Sequence, residues 1–166
     1  MLFRSGADTR LKVSISEQKL FLLRDDRIIR EYSVSTSKYG AGSRQLSNQT
    51  PLGKHVIAKK IGADAPLLAI FRNRIQTGEI AKPNLSKIPV TDDLITTRIL
   101  WLRGLEPGVN SGKRVDSFHR LIYIHGTPEE GLIGAPGSHG CIRMKNRDVA
   151  DLFDRVETGA PVEIVR

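Results

Sequence analysis

The sequence predicts a mainly β domain, a β-sandwich of mixed sheets with one or two short helices. Short stretches alternate apolar and polar residues, turn-forming residues separate those stretches, and a clear helical period appears once, near the C terminus. A length of 166 residues fits one core, so 1–166 reads as a single domain. Hydrophobic residues at 39% and charged residues at 27% place the chain with folded globular proteins.

The elements follow in chain order. Leu11, Val13 and Ile15 alternate with polar residues, the pattern of a half-buried strand. Residues 19–24 and 28–35 are two more strands, joined as a hairpin through Asp25-Asp26-Arg27. Residues 35–48, rich in Ser, Gly and polar side chains, read as a loop, and Thr50-Pro51-Leu52-Gly53 as a turn into a strand at 55–59. Residues 61–89 carry Gly and Pro at several points and read as irregular with short strands. Residues 94–103 are apolar and β-branched enough for a buried strand, with Trp101 in the core. Residues 104–119 form a long polar loop of the kind that often covers a site. A strand at 120–125 ends in His-Gly-Thr-Pro. The helix is expected at 147–156, with Asn146 as N-cap, Asp148 in the first turn, and Val149, Leu152, Phe153 and Val156 on one face. Gly159 and Pro161 end it before a last strand at 162–165.

Several functional classes lose support from composition. A net charge of +8 could attract anions, but the charges are scattered and aromatics are only 5%, too few for base-stacking platforms, so no nucleic-acid partner is expected. No stretch approaches the ~18 consecutive apolar residues of a spanning helix, and no membrane partner is expected. The first ten residues lack the apolar centre and small-residue cleavage site of a signal peptide. Cytoplasmic localisation is therefore favoured, with the periplasm as the alternative if an export signal has been removed. A single cysteine rules out an internal disulfide.

That cysteine lies in the informative stretch. Tyr123-Ile124-His125-Gly126-Thr127 is followed, after a Gly/Pro-rich loop, by Ser138-His139-Gly140-Cys141-Ile142-Arg143-Met144. Alternation puts Leu121, Tyr123 and His125 on one strand face, and His139, Cys141 and Arg143 on another. A hairpin-like return through 128–137 would bring the two faces together. A thiol with an ordinary pKa of ~8.5 needs a base to become a nucleophile, and an imidazole supplies one. The amides of Gly140 and Cys141 are candidates for stabilising an oxyanion. The plainer readings are a small buried cysteine, a structural His139, and Arg143 as a surface charge. His55 and His119 read as structural. A zinc site of His125, His139 and Cys141 lacks a usual ligand spacing, so no metal is expected.

The His125-Gly126-Thr127 and Ser138-His139-Gly140-Cys141-Ile142-Arg143-Met144 pair resembles the L,D-transpeptidase catalytic domain family, as do the Thr50–Gly53 turn and the closing segment 159–165. The resemblance runs from about Leu11 to the end. It implies that family's β-sandwich fold, a Cys–His mechanism with no cofactor, and peptidoglycan stem peptides or soluble muropeptides as partners. By that resemblance Cys141 is the nucleophile, His125 the base, and the Gly126 carbonyl the group that orients the base. His139 is its supporting histidine, and Gly140 with Cys141 supplies the oxyanion hole. Arg143, Tyr123 and Ser138 are expected to bind substrate, Arg143 by gripping a carboxylate. β-Lactams, carbapenems first, are expected as acylating inhibitors. Cleavage between an L-centre diamino acid and D-alanine is implied, with water as the favoured acceptor (an L,D-carboxypeptidase of wall recycling). The alternatives are a crosslinking or D-amino-acid-exchanging L,D-transpeptidase and a non-catalytic peptidoglycan-binding module.

Overall fold

The computed structural model describes residues 8–89 and 93–166; residues 1–7, part of the stretch read for a signal peptide, lie outside them. The described strands are β1 (Thr9–Ser14), β2 (Lys19–Arg24), β3 (Arg27–Ser35), β4 (Gly53–Ile61), β5 (Ala69–Arg72), β6 (Ile75–Ile80), β7 (Ile95–Gly104), β8 (Tyr123–Gly126), β9 (Ile142–Met144) and β10 (Pro161–Val165). Helix α1 (Asn146–Arg155) connects β9 to β10, and among the described residues one 3-10 turn occupies Glu130–Leu132.

The described residues are mainly β with one α-helix, as expected, and their strands belong to one mixed sheet. The order is β4-β10-β1-β2-β3-β9-β8-β7-β5-β6, and β4 also pairs with β7. That pairing runs from His55–Gly104 to Ile61–Ile99 and closes eight strands into a barrel-like ring. β7 is long enough to hold β4 along 99–104 and β5 at Thr96 and Ile95 on the same edge. Register shifts at Ile57/Lys59 and Thr96/Ile99 are where the strands bend to close it. The β2–β3 hairpin turns through Asp25 and Asp26, both at positive φ (49° and 59°). Such a two-residue turn matches the strand twist, and short polar side chains tolerate it better than most.

Period-two alternation divides the side chains between the two faces of the sheet. One face carries Leu11, Val13, Leu20, Leu22, Val34, Ile57, Leu100, Leu102, Ile124, Ile142, Met144, Val162 and Ile164 in a single cluster. Val149, Leu152 and Phe153 of α1 pack into the same cluster. The other face carries a smaller cluster of Ala65, Ala69, Phe71, Ile99, Trp101 and Tyr123, with Cys141 against it. Tyr123 and His125 are thus turned away from the main core because Ile124 between them is turned into it.

Asn146 is not the side-chain cap that the sequence suggested. It is the first helical residue, 2% exposed, and Lys145 precedes it without a capping bond. Its Oδ1 accepts from the Thr96 and Thr97 hydroxyls (both 2.6 Å), while its Nδ2 donates to the Thr127 carbonyl and Glu130 Oε1 (both 2.8 Å). The Asn146 amide also donates to Glu130 Oε1 at 2.9 Å, so a distant carboxylate serves the helix N-terminus.

Candidate active site

Cys141 and His125 lie on or beside neighbouring parallel strands rather than across a hairpin. β8 and β9 pair in parallel, with Ile124 opposite Ile142 and His125 opposite Arg143, so the 127–141 segment is a crossover. The expected strand at 120–125 begins only at Tyr123, because Leu121 sits in a turn at φ 59°. Cys141 immediately precedes β9. Its sulfur accepts from the Tyr123 amide at 3.3 Å, and its S–H donates to the Leu121 carbonyl at 3.4 Å.

The base is oriented by its own strand. His125 is 1% exposed, and its Nδ1–H donates to the Gly126 carbonyl at 2.6 Å. That bond selects the tautomer whose Nε2 is an unprotonated acceptor. Gly126 is required there: a Cβ would meet the Thr96 carbonyl at 2.6 Å and Asn146 Oδ1 at 2.7 Å. Burial lowers the His125 pKa from its ordinary value, more than Asp93 and the Gly126 carbonyl raise it. Burial also pushes the Cys141 thiol up to about 12, against the lowering by the Tyr123 amide, Arg143 and Arg120. Both shifts favour the uncharged form, thiol for Cys141 and neutral imidazole for His125.

The turn before the nucleophile is tied from within. Ser138 is fully buried; its Oγ donates to the Cys141 carbonyl (2.6 Å) and accepts from the Gly140 amide (3.2 Å). Ser138 is thus not a substrate-binding residue in this geometry, since its hydroxyl is spent holding the loop. The Gly140 amide, expected at an oxyanion hole, is likewise turned back to Ser138. Gly140 has φ 126°, and its carbonyl accepts from Thr50 Oγ1 at 3.0 Å, which gives the Thr-Pro-Leu-Gly turn its place behind the nucleophile.

Arg143 departs furthest from expectation. Its side chain is 4% exposed and already paired: Nη2 and Nε donate to Asp93 Oδ1 (2.6 and 3.0 Å), and Nη1 to Glu129 Oε2 (3.4 Å). A guanidinium buried between two carboxylates holds structure and is not open to grip a substrate carboxylate. His139, 44% exposed at its side chain, donates from Nδ1 to the other oxygen of Asp93 at 3.1 Å. Asp93 thus bridges the two motif residues. Burial acts to raise its pKa, but His125, Arg143 and His139 together hold it below the usual value. Tyr123 is 3% exposed, edge-on to Trp101 at 5.6 Å, and its hydroxyl accepts from Arg74 at 3.0 Å. It therefore serves the nucleophile through its amide rather than by lining an open pocket with its ring. Asp93, Glu129 and Arg120 escaped sequence reasoning, and Asn146 was read only as a helix cap, because none sits in a motif and each finds its partners far along the chain.

The loop at 104–119 is pinned over β4. Asn110 Nδ2 donates to the Leu52 and Lys54 carbonyls (3.0 and 3.1 Å), and Phe118 stacks on Trp101 at 4.1 Å. His55, 1% exposed, bonds Ser117 Oγ at 2.8 Å and the Gly53 carbonyl at 3.0 Å, a structural role as expected. The far side of this loop and the 45–48 segment enclose a groove of about 680 Å³. A second cavity of about 450 Å³ is lined by Asp93, Glu129 and Arg143, and His139 borders both. Among the described residues no group of three or more His, Cys, Asp or Glu side chains could hold a metal ion.

His55 and His125 both have lowered pKa values, with burial the largest cause. Each binds a proton in the unfolded chain near pH 6.5 but not in the folded one until lower pH. Stability is therefore full above that pH and falls as pH drops below it, by at most about 2.7 kcal/mol per unit for two protons. Urea unfolding midpoints at pH 5.5, 6.5 and 7.5 should show that fall, and His55→Gln should roughly halve it. A flat profile over this range would exclude it.

A thiol and an imidazole of defined tautomer on adjacent parallel strands define a cysteine–histidine site for nucleophilic chemistry. The L,D-transpeptidase catalytic domain (YkuD) family model matches residues 8–164, and the chain belongs to that family of enzymes. A putative L,D-transpeptidase of Bacillus licheniformis is 28% identical over 156 residues, 93% of this chain and 64% of the relative. An L,D-transpeptidase from Mycobacterium smegmatis shares the fold with a TM-score of 0.57 at 20% identity, over 97% of this chain and 60% of that one. L,D-transpeptidase 3 from Mycobacterium tuberculosis, solved with a faropenem-derived adduct, gives 0.56 at 17% identity, over 96% and 60%. The chain thus spans somewhat under two thirds of the length of these proteins.

Proposed function

We propose that this protein is a cysteine acyl-transfer enzyme that cleaves the bond between the L-centre of a diamino acid and D-alanine in peptidoglycan stem tetrapeptides. The observation that carries it is the His125–Gly126 bond, which leaves Nε2 as a proton acceptor on the face where Cys141 is presented. The sulfur attacks the carbonyl carbon of the third stem residue as its proton passes to His125 Nε2. The imidazolium then returns that proton to the departing amine, the C–N bond breaks, and D-alanine leaves a thioester on Cys141. Because the thiol rests protonated, proton transfer and attack go together. Asp93 stabilises the transient positive charge on His125.

Water is the acceptor we favour: it attacks the thioester, His125 takes its proton, and the products are a tripeptide and the free thiol. The names of the Bacillus relatives favour the second reading, in which an amine takes the acyl group. A β-lactam acylates the same sulfur by ring opening; the faropenem adduct of the M. tuberculosis enzyme supports this.

The test is mass spectrometry of a disaccharide-tetrapeptide incubated with the enzyme, with and without D-methionine. Tripeptide as the main product, unchanged by D-methionine, is the expected result. Crosslinked dimers or D-methionine-exchanged tetrapeptide as the main product would replace hydrolysis with transfer. Absence of any turnover would overturn the enzymatic reading of this substrate.

A further inference from the structure

Arg120 lies half-buried in the wall of the 680 Å³ groove, and among the described residues no carboxylate pairs with it. Its Nη2 donates to the Gln49 carbonyl at 2.7 Å, with contacts of 3.5 Å to the Gly42 carbonyl and the Ser47 hydroxyl. The same Gln49 carbonyl oxygen would lie 3.3 Å from a Cβ on Gly140, so the guanidinium is anchored beside the turn that presents Cys141. Leu121, the next residue, takes the S–H of Cys141 on its carbonyl.

A cation drawn partly out of water normally has its counter-ion beside it. Arg143 has two, whereas the hydrogen-bond partners of Arg120 are neutral oxygens, with the Cys141 thiol nearby. The groove it faces also carries Lys113 and Arg114. Four non-glycine residues of its wall, Leu46, Asn48, Arg114 and Leu121, hold φ between 57° and 70°.

We propose that Arg120 binds the terminal carboxylate of the peptide donor, the carboxylate of the residue that leaves. In a peptide this group is three bonds beyond the carbonyl carbon under attack. A guanidinium held beside the nucleophile therefore registers the scissile bond and selects chains with a single free residue past it. The assignment moves the carboxylate-binding role from Arg143, which is occupied, to Arg120, and it rests on the acyl-transfer reading above.

The test compares tetrapeptide donors with a free and an amidated C-terminus in wild type, Arg120→Gln and Arg120→Lys. Wild type should prefer the free carboxylate by about ten- to hundredfold in kcat/KM, the worth of one charge-assisted hydrogen bond. Arg120→Gln should lose that preference by slowing only the free-acid donor, and Arg120→Lys should keep part of it. Equal losses on both donors would reduce Arg120 to a strut for the 42–49 loop and overturn the proposal.

Alkylation of Cys141 reads the same cation without any peptide. Arg120→Gln should slow iodoacetate several-fold more than iodoacetamide at low salt, because loss of the cation lowers thiolate for both reagents but removes carboxylate attraction only for the first. An equal slowing of both reagents would place the effect on the thiol itself and overturn the proposal. Should wild type turn over neither peptide, the acyl-transfer reading fails while the ratio of the two alkylation rates still decides whether Arg120 receives a carboxylate.

Discussion

Cys141→Ala is expected to lower tripeptide formation by on the order of 10⁴-fold or more, the scale seen when a covalent nucleophile is removed. It should also abolish the mass increase that a carbapenem leaves on the protein. The fold should be untouched. The sulfur is half-buried at the edge of the outer cluster, and its polar contacts are weak ones of 3.3 and 3.4 Å. Truncation there should cost no more than about 1–1.5 kcal/mol. Intact-protein mass spectrometry, product analysis and a thermal melt on one preparation separate lost chemistry from lost structure. Turnover within tenfold of wild type would remove Cys141 from the nucleophile's role.

The second large effect is on stability. Arg143→Ala is expected to cost about 3–5 kcal/mol, because it leaves Asp93 and the 3%-exposed Glu129 without the guanidinium between them. Arg143→Lys should recover only part of this, since one ammonium cannot span both carboxylates in the planar geometry the site provides. Asp93, which also holds His139, loses its second partner in the same step, so kcat should suffer more than KM. Urea unfolding of the three proteins, with steady-state kinetics on those that fold, checks both halves. If Arg143→Ala were near wild type in stability and raised KM tenfold instead, the arginine would belong to the substrate and not to the frame.

Much of the local structure was legible in the chain. The strands at 19–24, 28–35 and 94–103 and the helix at 147–156 fall within a residue or two of where the structure places them. Alternation also put Tyr123 and His125 on one face, which holds. Ring closure was not legible, because nothing in β4 or β7 taken singly says that their edges meet. Nor was the parallel pairing of β8 with β9: a loop rich in Gly and Pro serves a hairpin and a crossover equally well.

The motif residues divide the same way. Cys141, His125 and the Gly126 carbonyl have their partners one position away in the chain or on the adjoining strand, and the motif that carries the family resemblance names all three. The roles of Ser138, Arg143 and Arg120 depend on partners whose positions are set by the closed sheet. Asp93 meets His139 and Arg143 across 46 and 50 residues, Arg120 meets Gln49 across 71, and Thr50 meets Gly140 across 90. Periodicity and motif spacing record interactions between residues close in sequence, so they survive without a fold. Whether a buried charge is compensated or left waiting for a ligand depends on which distant carboxylate reaches it, and only the packed tertiary structure decides that.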